Sequence, residues 1–328
     1  MYPRIARRQQ RTAPFSEFRG GRPCLDISFA SASNKIDIFL PEEIRELRDI
    51  ERESTFCTSI ALDPEPHNKP IYITKIVPRL SEETNHLSLV SINDDNNIER
   101  EGLHECSTLR ANISNSWQSG GNSDLEVQTL FITGQNTRQK SLKLPKGVAF
   151  EIRPKTRLIL QVHFAPYKNY RKAMDKIGVT LFYTRIKQTL KAGILSLHAG
   201  GQVKSGWSDL KASCIMKQSL WPLAILGHTH DLGRQVSGWK QKFKNSTRTQ
   251  IGQVDPQQPQ VFKSLTSFNI LTRKEIIEVR CSYKNPDSNS VLTGPDRREE
   301  MCALYLLYCT PDDVLKNSYC IGGNVEND

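Results

Sequence analysis

The stretch LAILGHTH at residues 223–230 decides how this sequence is read. Its apolar residues form a short run that is typical of a buried strand, and the run leads directly into His228, Thr229 and His230. In a β-strand, residues i and i+2 point to the same face. Both imidazoles can therefore approach one ion, and the pair predicts a metal site.

Similar runs recur along the chain, separated by polar, turn-rich stretches. Many short strands with such loops are typical of β-sandwiches and barrels. Only residues 41–51 (PEEIRELRDIE) have a weakly helical pattern, so we predict an all-β fold. The predicted strands lie at residues 71–78, 86–92, 157–164, 178–185, 223–230, 274–283 and 301–308.

The chain has 328 residues, more than one hydrophobic core usually supports, so two domains are expected. The polar, basic stretch at 185–191 is the best boundary. We therefore predict an N-terminal domain at 34–187 and a C-terminal domain at 188–328. Residues 1–33 are basic and have the composition of a disordered segment.

The formal net charge is +10, but no aromatic-interleaved basic stripe and no nucleic-acid motif accompanies it. The charge therefore indicates a solvated basic surface and no nucleic-acid partner. No apolar run reaches the roughly 18 residues of a transmembrane helix, so no membrane span is expected.

The eight cysteines are widely spaced, and none forms the CxxC pattern of a zinc knuckle. An even number of such cysteines indicates disulfides in an oxidising compartment. Residues 1–33 contain no apolar segment of the kind that signal peptides have. We give the cysteines more weight and expect a protein of the secretory pathway or a secreted protein.

Met301 opens the strand-like run MCALYLLY and shares a face with Ala303 and Tyr305. A thioether is a soft ligand that proteins use for copper far more than for zinc. Two histidines and Met301 therefore make a plausible copper site, although a single methionine is usually a core residue. The sequence itself does not link Met301 to the histidine pair.

Two more histidines stand in strand-like runs. His163 shares its face with Gln161, and His86 starts another apolar run after Asn85. From the residues alone, a satisfied core histidine is the favoured interpretation of each, with metal binding as the alternative. Gln161 is either a structural residue or a hydrogen-bond partner that orients a ligand imidazole.

Several separated motifs resemble, in the same order, the copper type II ascorbate-dependent monooxygenases of the peptidylglycine α-hydroxylating type. They are LPKGVAFEI at 144–152, LQVHF at 160–164, GHTHDLGRQVSGW at 227–239, DPQQPQVF at 255–262 and REEMCALYLLY at 298–308. The resemblance extends over about residues 34–325 and is densest in the second half.

The resemblance implies two jelly-roll-like β-sandwich domains with a cleft between them and one copper site in each. It also implies that ascorbate supplies electrons and that the glycine α-carbon of C-terminally glycine-extended peptides is hydroxylated, which is the first step of peptide amidation. The second step would require a separate amidating lyase, because no lyase domain is visible.

The second copper site of the family corresponds to His228, His230 and Met301, so it is complete by resemblance. The first corresponds to His86, His163 and the position of Asn85, where the family has a histidine. An amide is a poor ligand for Cu(I), so we expect this site to bind copper more weakly.

The family's substrate arginine and asparagine correspond to Leu226 and Ala303, while the tyrosine is present as Tyr305. A leucine cannot pair with the terminal carboxylate of a peptide. Alternatives to peptide hydroxylation are therefore a catalytically weakened or non-enzymatic copper-binding relative, and a monooxygenase with an amine-type substrate.

The resemblance also implies three disulfides, and it leaves Cys24 and Cys309 either free or paired with each other. The implied bridges are Cys57–Cys106, Cys214–Cys320 and Cys281–Cys302.

Overall fold

The computed structural model describes residues 34–41, 54–61, 69–80, 84–93, 102–105, 126–134, 141–164, 177–265, 270–294, 298–316 and 318–323. Within these ranges it contains β-strands and no helix, so the predicted all-β class is confirmed. Residues 1–33 and all but the first residue of the weakly helical stretch 41–51 lie outside the described ranges.

The strands are β1 Asn34–Phe39, β2 Ser54–Ala61, β3 Ile71–Arg79, β4 Thr84–Asn93, β5 Gly102–Glu105, β6 Glu126–Ile132, β7 Leu142–Lys143, β8 Val148–Ile152, β9 Thr156–Phe164, β10 Gly178–Thr184, β11 Leu190–Gly200, β12 Gln202–Val203, β13 Gly206–Ile215, β14 Trp221–His228, β15 Gly233–Gln241, β16 Thr249–Val254, β17 Lys263–Ser264, β18 Ile276–Asn285, β19 Val291–Leu292, β20 Ala303–Thr310 and β21 Tyr319–Gly323.

The first half is built around a five-stranded sheet in the order β5-β2-β9-β4-β6. Strand β9 shows how this sheet packs. Its alternate residues Leu158, Leu160 and Val162 belong to the core cluster that also contains side chains of β3 and β10. Ile159 belongs to a separate, smaller cluster. Because side chains alternate between the faces of a strand, β9 is buried on both sides.

The second half contains a four-stranded sheet in the order β13-β18-β15-β16, which packs against β11, β20 and β14. Leu304 and Leu306 of β20 point into the core between these sheets. Ala303 and Tyr305 alternate with them and join the first cluster. Strand β20 is therefore buried on both faces, as is expected of a continuous apolar run.

The two halves share one sheet, because β8 and β11 pair in parallel with Val148 opposite Leu190. This pairing joins eight strands in the order β1-β10-β3-β8-β11-β20-β14-β17, and β7 and β21 complete a ten-stranded sheet. The proposed division at residues 187 and 188 falls in the link between β10 and β11.

The five-stranded sheet also contacts the second half through its edge strand β6. The hydroxyl groups of Thr129 and Tyr319 lie 2.6 Å apart, and Gln128 Nε2 donates to the carbonyl of Ala192 over 3.3 Å. Ser318 Oγ donates to the carbonyl of Val127 over 3.4 Å. At these contacts, therefore, the two halves touch and are not separated by the cleft that the resemblance implies.

Two disulfides that the resemblance implied are present in the second half. They are Cys214–Cys320 and Cys281–Cys302, with Cα–Cα distances of 6.1 and 5.7 Å. Cys57 and Cys309 are also disulfide-bonded, each to a partner outside the described residues. The described part of the chain has no helix of the length and hydropathy that a membrane span requires.

Candidate metal centre

The histidine pair from the LAILGHTH stretch lies at the end of a fully buried strand. His228 is the last residue of β14, His230 follows two residues later, and their side chains are 5% and 6% exposed. Their ring centroids are 5.4 Å apart and the ring planes meet at 79°. The structure therefore brings the two imidazoles together.

Gln260 fixes the orientation of His228. The Gln260 Nε2 group donates to the carbonyls of Thr229 and Pro256, at 3.1 and 2.9 Å, so its Oε1 atom faces the histidine. This oxygen lies 2.6 Å from His228 Nδ1. Because an amide oxygen only accepts hydrogen bonds, His228 carries its proton on Nδ1, and its Nε2 lone pair remains for a metal.

A backbone carbonyl fixes the orientation of His230. His230 Nδ1 lies 2.7 Å from the carbonyl oxygen of Glu299, which can only accept a hydrogen bond. The proton of His230 is therefore on Nδ1 and the lone pair on Nε2. Both imidazoles of the pair have the tautomer that metal ligands adopt when a second group holds the other ring nitrogen.

The pKa of His228 is lowered to about 4, mainly by burial; the hydrogen bond to Gln260 opposes the shift, and the neighbouring His230, His198 and His163 add to it. His228 is therefore neutral near pH 7. Neutral imidazole is the form that binds a metal ion, because the protonated ring has no free lone pair.

The carboxyl group of Glu300 connects Met301 to the histidine pair. Its Oε2 atom accepts from the backbone N–H groups of His230 and Met301, at 3.0 and 3.3 Å, and its Oε1 atom accepts from Leu232 at 2.7 Å. Burial raises the pKa of Glu300, while the N–H groups of Leu232 and His230 oppose that shift. One buried side chain thus holds two candidate ligand positions together.

Two further contacts hold the backbone around Met301. Tyr283 donates its hydroxyl hydrogen to the Met301 carbonyl over 2.7 Å, and burial raises the pKa of this tyrosine far above its ordinary value. The adjacent Cys302 is bonded to Cys281 of β18. Met301 itself is half-buried, so its thioether is not enclosed by the core.

The other histidine pair spans two strands of the five-stranded sheet. His86 of β4 lies directly opposite His163 of β9 in the antiparallel register. Their Nδ1 atoms are 3.3 Å apart and their ring centroids 4.7 Å apart. Asn85 belongs to β4, but its side chain lies outside the described part of the structure.

The two histidine pairs are in contact with each other. The ring of His86 lies against that of His228, with centroids 5.9 Å apart and an interplanar angle of 60°. The imidazoles of His163, His86, His228 and His230 therefore follow one another in a single row. We call this row the histidine cluster.

The substrate positions implied by the resemblance are largely apolar. Leu226 and Tyr305 are register partners on β14 and β20, and Ala303 is the register partner of His228. Leu226 and Ala303 are fully buried and Tyr305 is 6% exposed. No charge from these three side chains is available to pair with a carboxylate near pH 7, since burial raises the pKa of Tyr305.

Sequence reasoning did not single out His198, which lies beside this site. It is the register partner of Ala303 on β11. Its ring contacts those of Tyr305 and Tyr319, with centroids 5.6 and 6.4 Å apart. Burial lowers its pKa to about 4, so it adds a neutral imidazole and no cation near pH 7.

Gln161 does not contact a histidine. Its Oε1 atom accepts a hydrogen bond from Ser88 Oγ at 3.0 Å, between the neighbouring strands β9 and β4. This contact favours the structural role over the orienting role that the sequence left open. The orienting groups are Gln260 and the Glu299 carbonyl, which the sequence signalled only as parts of the motifs at 255–262 and 298–308.

Among the described residues, no three His, Cys, Asp or Glu side chains are arranged to hold a metal ion. A complete zinc-type ligand set is therefore not present in that part of the chain. Met301 is the candidate third donor beside His228 and His230. Imidazole suits copper among other metals, and a thioether is a soft donor that favours Cu(I), so this set of donors fits copper.

Comparisons with known proteins also point to copper monooxygenases. Residues 190–327 match the family model described as copper type II ascorbate-dependent monooxygenase, C-terminal domain. This range includes His228, His230 and Met301. The N-terminal pair His86 and His163 lies outside it.

The chain is also similar to curated proteins of that family. Peptidylglycine alpha-amidating monooxygenase of Rattus norvegicus is 27% identical over 267 residues, which are 79% of this chain and 25% of that protein. Peptidyl-glycine alpha-amidating monooxygenase B of Xenopus laevis is 34% identical over 175 residues, 51% of this chain and 20% of that protein.

The chain thus spans about a quarter or less of the length of these relatives. The family model, the relatives and the all-β sandwich architecture agree with the motifs in the sequence. Residues 190–327 therefore match the C-terminal domain of the copper type II ascorbate-dependent monooxygenase family, and the chain is similar to two peptidylglycine alpha-amidating monooxygenases at 27% and 34% identity.

Proposed function

We propose that this chain is a copper- and ascorbate-dependent monooxygenase that hydroxylates the glycine α-carbon of C-terminally glycine-extended peptides. The observation that carries the proposal is the preparation of His228 and His230 for a metal. Both Nδ1 atoms face hydrogen-bond acceptors, so both Nε2 lone pairs remain available. Such orienting partners raise metal affinity by about 10–100-fold in other metal sites.

The reaction balances with the cofactors that the family name implies. One oxygen atom of dioxygen is inserted into the C–H bond to give C–OH, the other leaves as water, and ascorbate provides the two electrons and two protons that this requires. Copper, when bound, supplies the redox and dioxygen chemistry. The protein residues hold the ligands: Gln260 orients His228, the Glu299 carbonyl orients His230, and Glu300 fixes the backbone at Met301.

The peptide substrate is proposed from the relatives, whose names describe peptidylglycine amidation. Tyr305 is the one substrate-side residue that matches the resemblance, and it lies in register with Leu226 on the face that carries His228. A separate amidating lyase is proposed as the enzyme of the second step. The disulfides are consistent with a secretory-pathway protein.

A second candidate function keeps the copper chemistry and changes the substrate. It is favoured by the burial of Leu226 and Ala303, which gives a terminal carboxylate no charged partner at these positions. Loss of a charge-assisted hydrogen bond costs about 1.5–3 kcal/mol. A substrate without a carboxylate, such as an amine-type molecule, avoids that cost.

The test is oxygen consumption by the copper-loaded chain with ascorbate and either an N-acylglycine or an arylalkylamine. Hydroxylated N-acylglycine supports the first function. Turnover of the amine alone supports the second. Copper binding without turnover of either substrate contradicts both and indicates a non-enzymatic copper-binding relative.

A matched pair of variants links the activity to the site. His228→Ala removes a proposed ligand and should abolish turnover, while Gln258→Ala changes an exposed residue near Gln260 and should leave it unchanged. Equal activity of wild type and His228→Ala would show that the turnover arises elsewhere.

A further inference from the structure

Next to the histidine cluster, three neighbouring strands place residues in one row across the sheet. His228 of β14 is opposite Ala303 of β20, and Ala303 is opposite His198 of β11. Directly opposite residues on paired strands point to the same face of the sheet. Neighbouring strands are about 4.8 Å apart, so the backbones of His228 and His198 are roughly 10 Å apart. Only the methyl group of Ala303 lies between the two imidazoles in this row.

His198 and Tyr305 are polar side chains without hydrogen-bond partners. Their rings are in edge contact, with centroids 5.6 Å apart. In the described part of the chain, neither the His198 imidazole nor the Tyr305 hydroxyl takes part in a hydrogen bond. His198 is nevertheless partly exposed, so the pair borders accessible space. Because polar groups in such sheltered positions are normally hydrogen-bonded, this pair is available to a bound molecule.

Tyr319 holds the His198 ring from another side. The two rings are stacked, with centroids 6.4 Å apart and an interplanar angle of 25°. The Tyr319 hydroxyl is itself engaged with Thr129 of β6 at 2.6 Å. Aromatic packing therefore positions His198, whereas a hydrogen bond to Gln260 positions His228. Since no acceptor fixes a proton on either ring nitrogen, neutral His198 can present both a donor and an acceptor to a ligand.

The surroundings of this pair are uncharged. Burial is the one cause that lowers the pKa of His198, so no charged side chain of the described residues acts on its ring. Leu226 and Ala303 continue the same face without charge. A carboxylate or an ammonium group placed here would leave water without meeting an opposite charge, which is costly. A neutral group that both donates and accepts hydrogen bonds would find both functions in His198 and Tyr305.

We propose that His198 and Tyr305 form a neutral hydrogen-bonding subsite beside the candidate metal centre. The subsite selects substrates in which the group next to the reacting carbon is uncharged and both donates and accepts hydrogen bonds. A primary carboxamide is the simplest group of this kind. The inference rests on the proposed function and narrows it, because the hydroxylated carbon remains that of a glycine unit while its terminal group is an amide in place of a carboxylate.

The test compares three probes of different charge: neutral N-benzoylglycinamide, anionic N-benzoylglycine and cationic 2-phenylethylamine. Isothermal titration calorimetry at pH 7 measures their binding to the full chain with its disulfides formed, without copper and without ascorbate. We expect the amide to bind at least about tenfold more tightly than the acid or the amine, because each charged probe loses hydration without gaining a counter-charge. Equal or tighter binding of the acid or the amine would overturn the neutral subsite.

Variants assign the selectivity to the two side chains. His198→Leu and Tyr305→Phe each remove one hydrogen bond and should weaken binding of the amide by about 3–10-fold. His198→Gln keeps a donor and an acceptor and should retain most of the affinity. His198→Arg adds a cation and should reverse the preference in favour of the acid. The exposed control Gln258→Ala should bind all three probes as wild type does.

The ratio of amide to acid affinity separates recognition from a merely structural role. A structural histidine would change the affinities for both probes alike. The same ratio in wild type, His198→Leu and His198→Arg would therefore overturn the subsite. In the copper-loaded chain with ascorbate, His198→Leu should raise the KM for the amide and leave kcat nearly unchanged, because the hydrogen bond is made equally in the bound substrate and in the transition state.

The outcomes distinguish this inference from the proposed function. Preferential binding of the amide without turnover of any probe leaves the subsite in place and overturns the monooxygenase. Turnover of the acid, together with tighter binding of the acid than of the amide, overturns the subsite and leaves the monooxygenase in place. Failure of the chain to bind any of the three probes also overturns the subsite.

Discussion

The two histidine pairs are prepared for a metal in different ways. In the second half, the protein occupies the Nδ1 atom of each ring, through Gln260 for His228 and through the Glu299 carbonyl for His230. In the first half, the Nδ1 atoms of His86 and His163 face each other. The second pair thus presents Nε2 to an ion, whereas the first pair presents Nδ1.

This difference indicates how the two pairs respond to the loss of metal. Gln260 and the Glu299 carbonyl hold the second pair in place with or without an ion, so little reorganisation accompanies binding. Between His86 and His163, a proton shared by the two Nδ1 atoms has to leave before an ion can enter. We therefore expect the second pair to be the tighter and more rigid site.

The largest expected effect follows from removing the carboxyl group that fixes the second pair. Glu300→Ala leaves the buried N–H groups of His230, Leu232 and Met301 without their acceptor, which should lower the free energy of unfolding by roughly 3–5 kcal/mol. Urea denaturation measures this change. Copper bound at the second pair should be lost as well.

Glu299→Gln is the matched control for Glu300→Ala. Its carbonyl, and not its carboxyl group, contacts His230, so the orienting hydrogen bond is retained. We expect a change below about 1 kcal/mol, as for most substitutions away from such buried features. Equal destabilisation by both variants would show that Glu300 does not hold the site.

Gln260→Ala should have the next largest effect. It removes the acceptor of His228 Nδ1 and should weaken copper binding at the second pair by about 10–100-fold. A competition titration with a Cu(I) chelator measures the affinity. Gln258→Ala, an exposed neighbour, should bind copper as wild type does, and an unchanged affinity in Gln260→Ala would contradict the orienting role.

Asn85→His tests the weaker, first pair. A third imidazole on β4 should tighten copper binding there on the order of tenfold, or about 1.4 kcal/mol. The same chelator titration should show the two binding phases moving closer together. If the phases stay where they are in wild type, Asn85 is not the reason for weak binding.

The smallest expected effect concerns acid stability and His198. Burial lowers the pKa of His198 from 6.5 to about 4, so the unfolded chain binds a proton that the folded chain does not bind between these values. Stability is therefore lost as the pH falls from 6.5 towards 4. His198→Gln should reduce that loss by about 1 kcal/mol at pH 5.5.

The measurement for His198 is urea denaturation at pH 7 and pH 5.5. Tyr305 and Tyr319 also face this ring, and burial raises the pKa of both, the latter to about 12, so neither titrates in this range. His228 is also nearby, and its lowered pKa makes the same contribution to acid destabilisation in wild type and in His198→Gln. An identical loss of stability in wild type and His198→Gln would contradict the prediction.

The sequence was sufficient for the fold class because alternation is a local property. The runs at 157–164 and 223–230 correspond to β9 and β14, and the buried pattern of each follows from its own residues. The disulfides Cys214–Cys320 and Cys281–Cys302 followed from the resemblance, since spacing alone does not define connectivity.

The site was only partly predictable because its key contacts join distant residues. His228 and His230 lie two residues apart and were found directly. The link from His230 to Met301 runs through Glu300, and the contact between His86 and His228 spans both halves of the chain. Such contacts depend on strand register and on sheet packing, which no local pattern encodes.

The parallel pairing of β8 with β11 has a consequence for how this molecule can be divided. A cut between β10 and β11 separates the two sandwiches in sequence, but it leaves β8 and β11 with unpaired backbone groups along newly exposed edges. Isolated halves would present these edges to each other and to other chains. The link near residue 187 is thus a boundary along the polypeptide and not within the sheet, and we expect the whole chain to be more soluble than either half expressed alone.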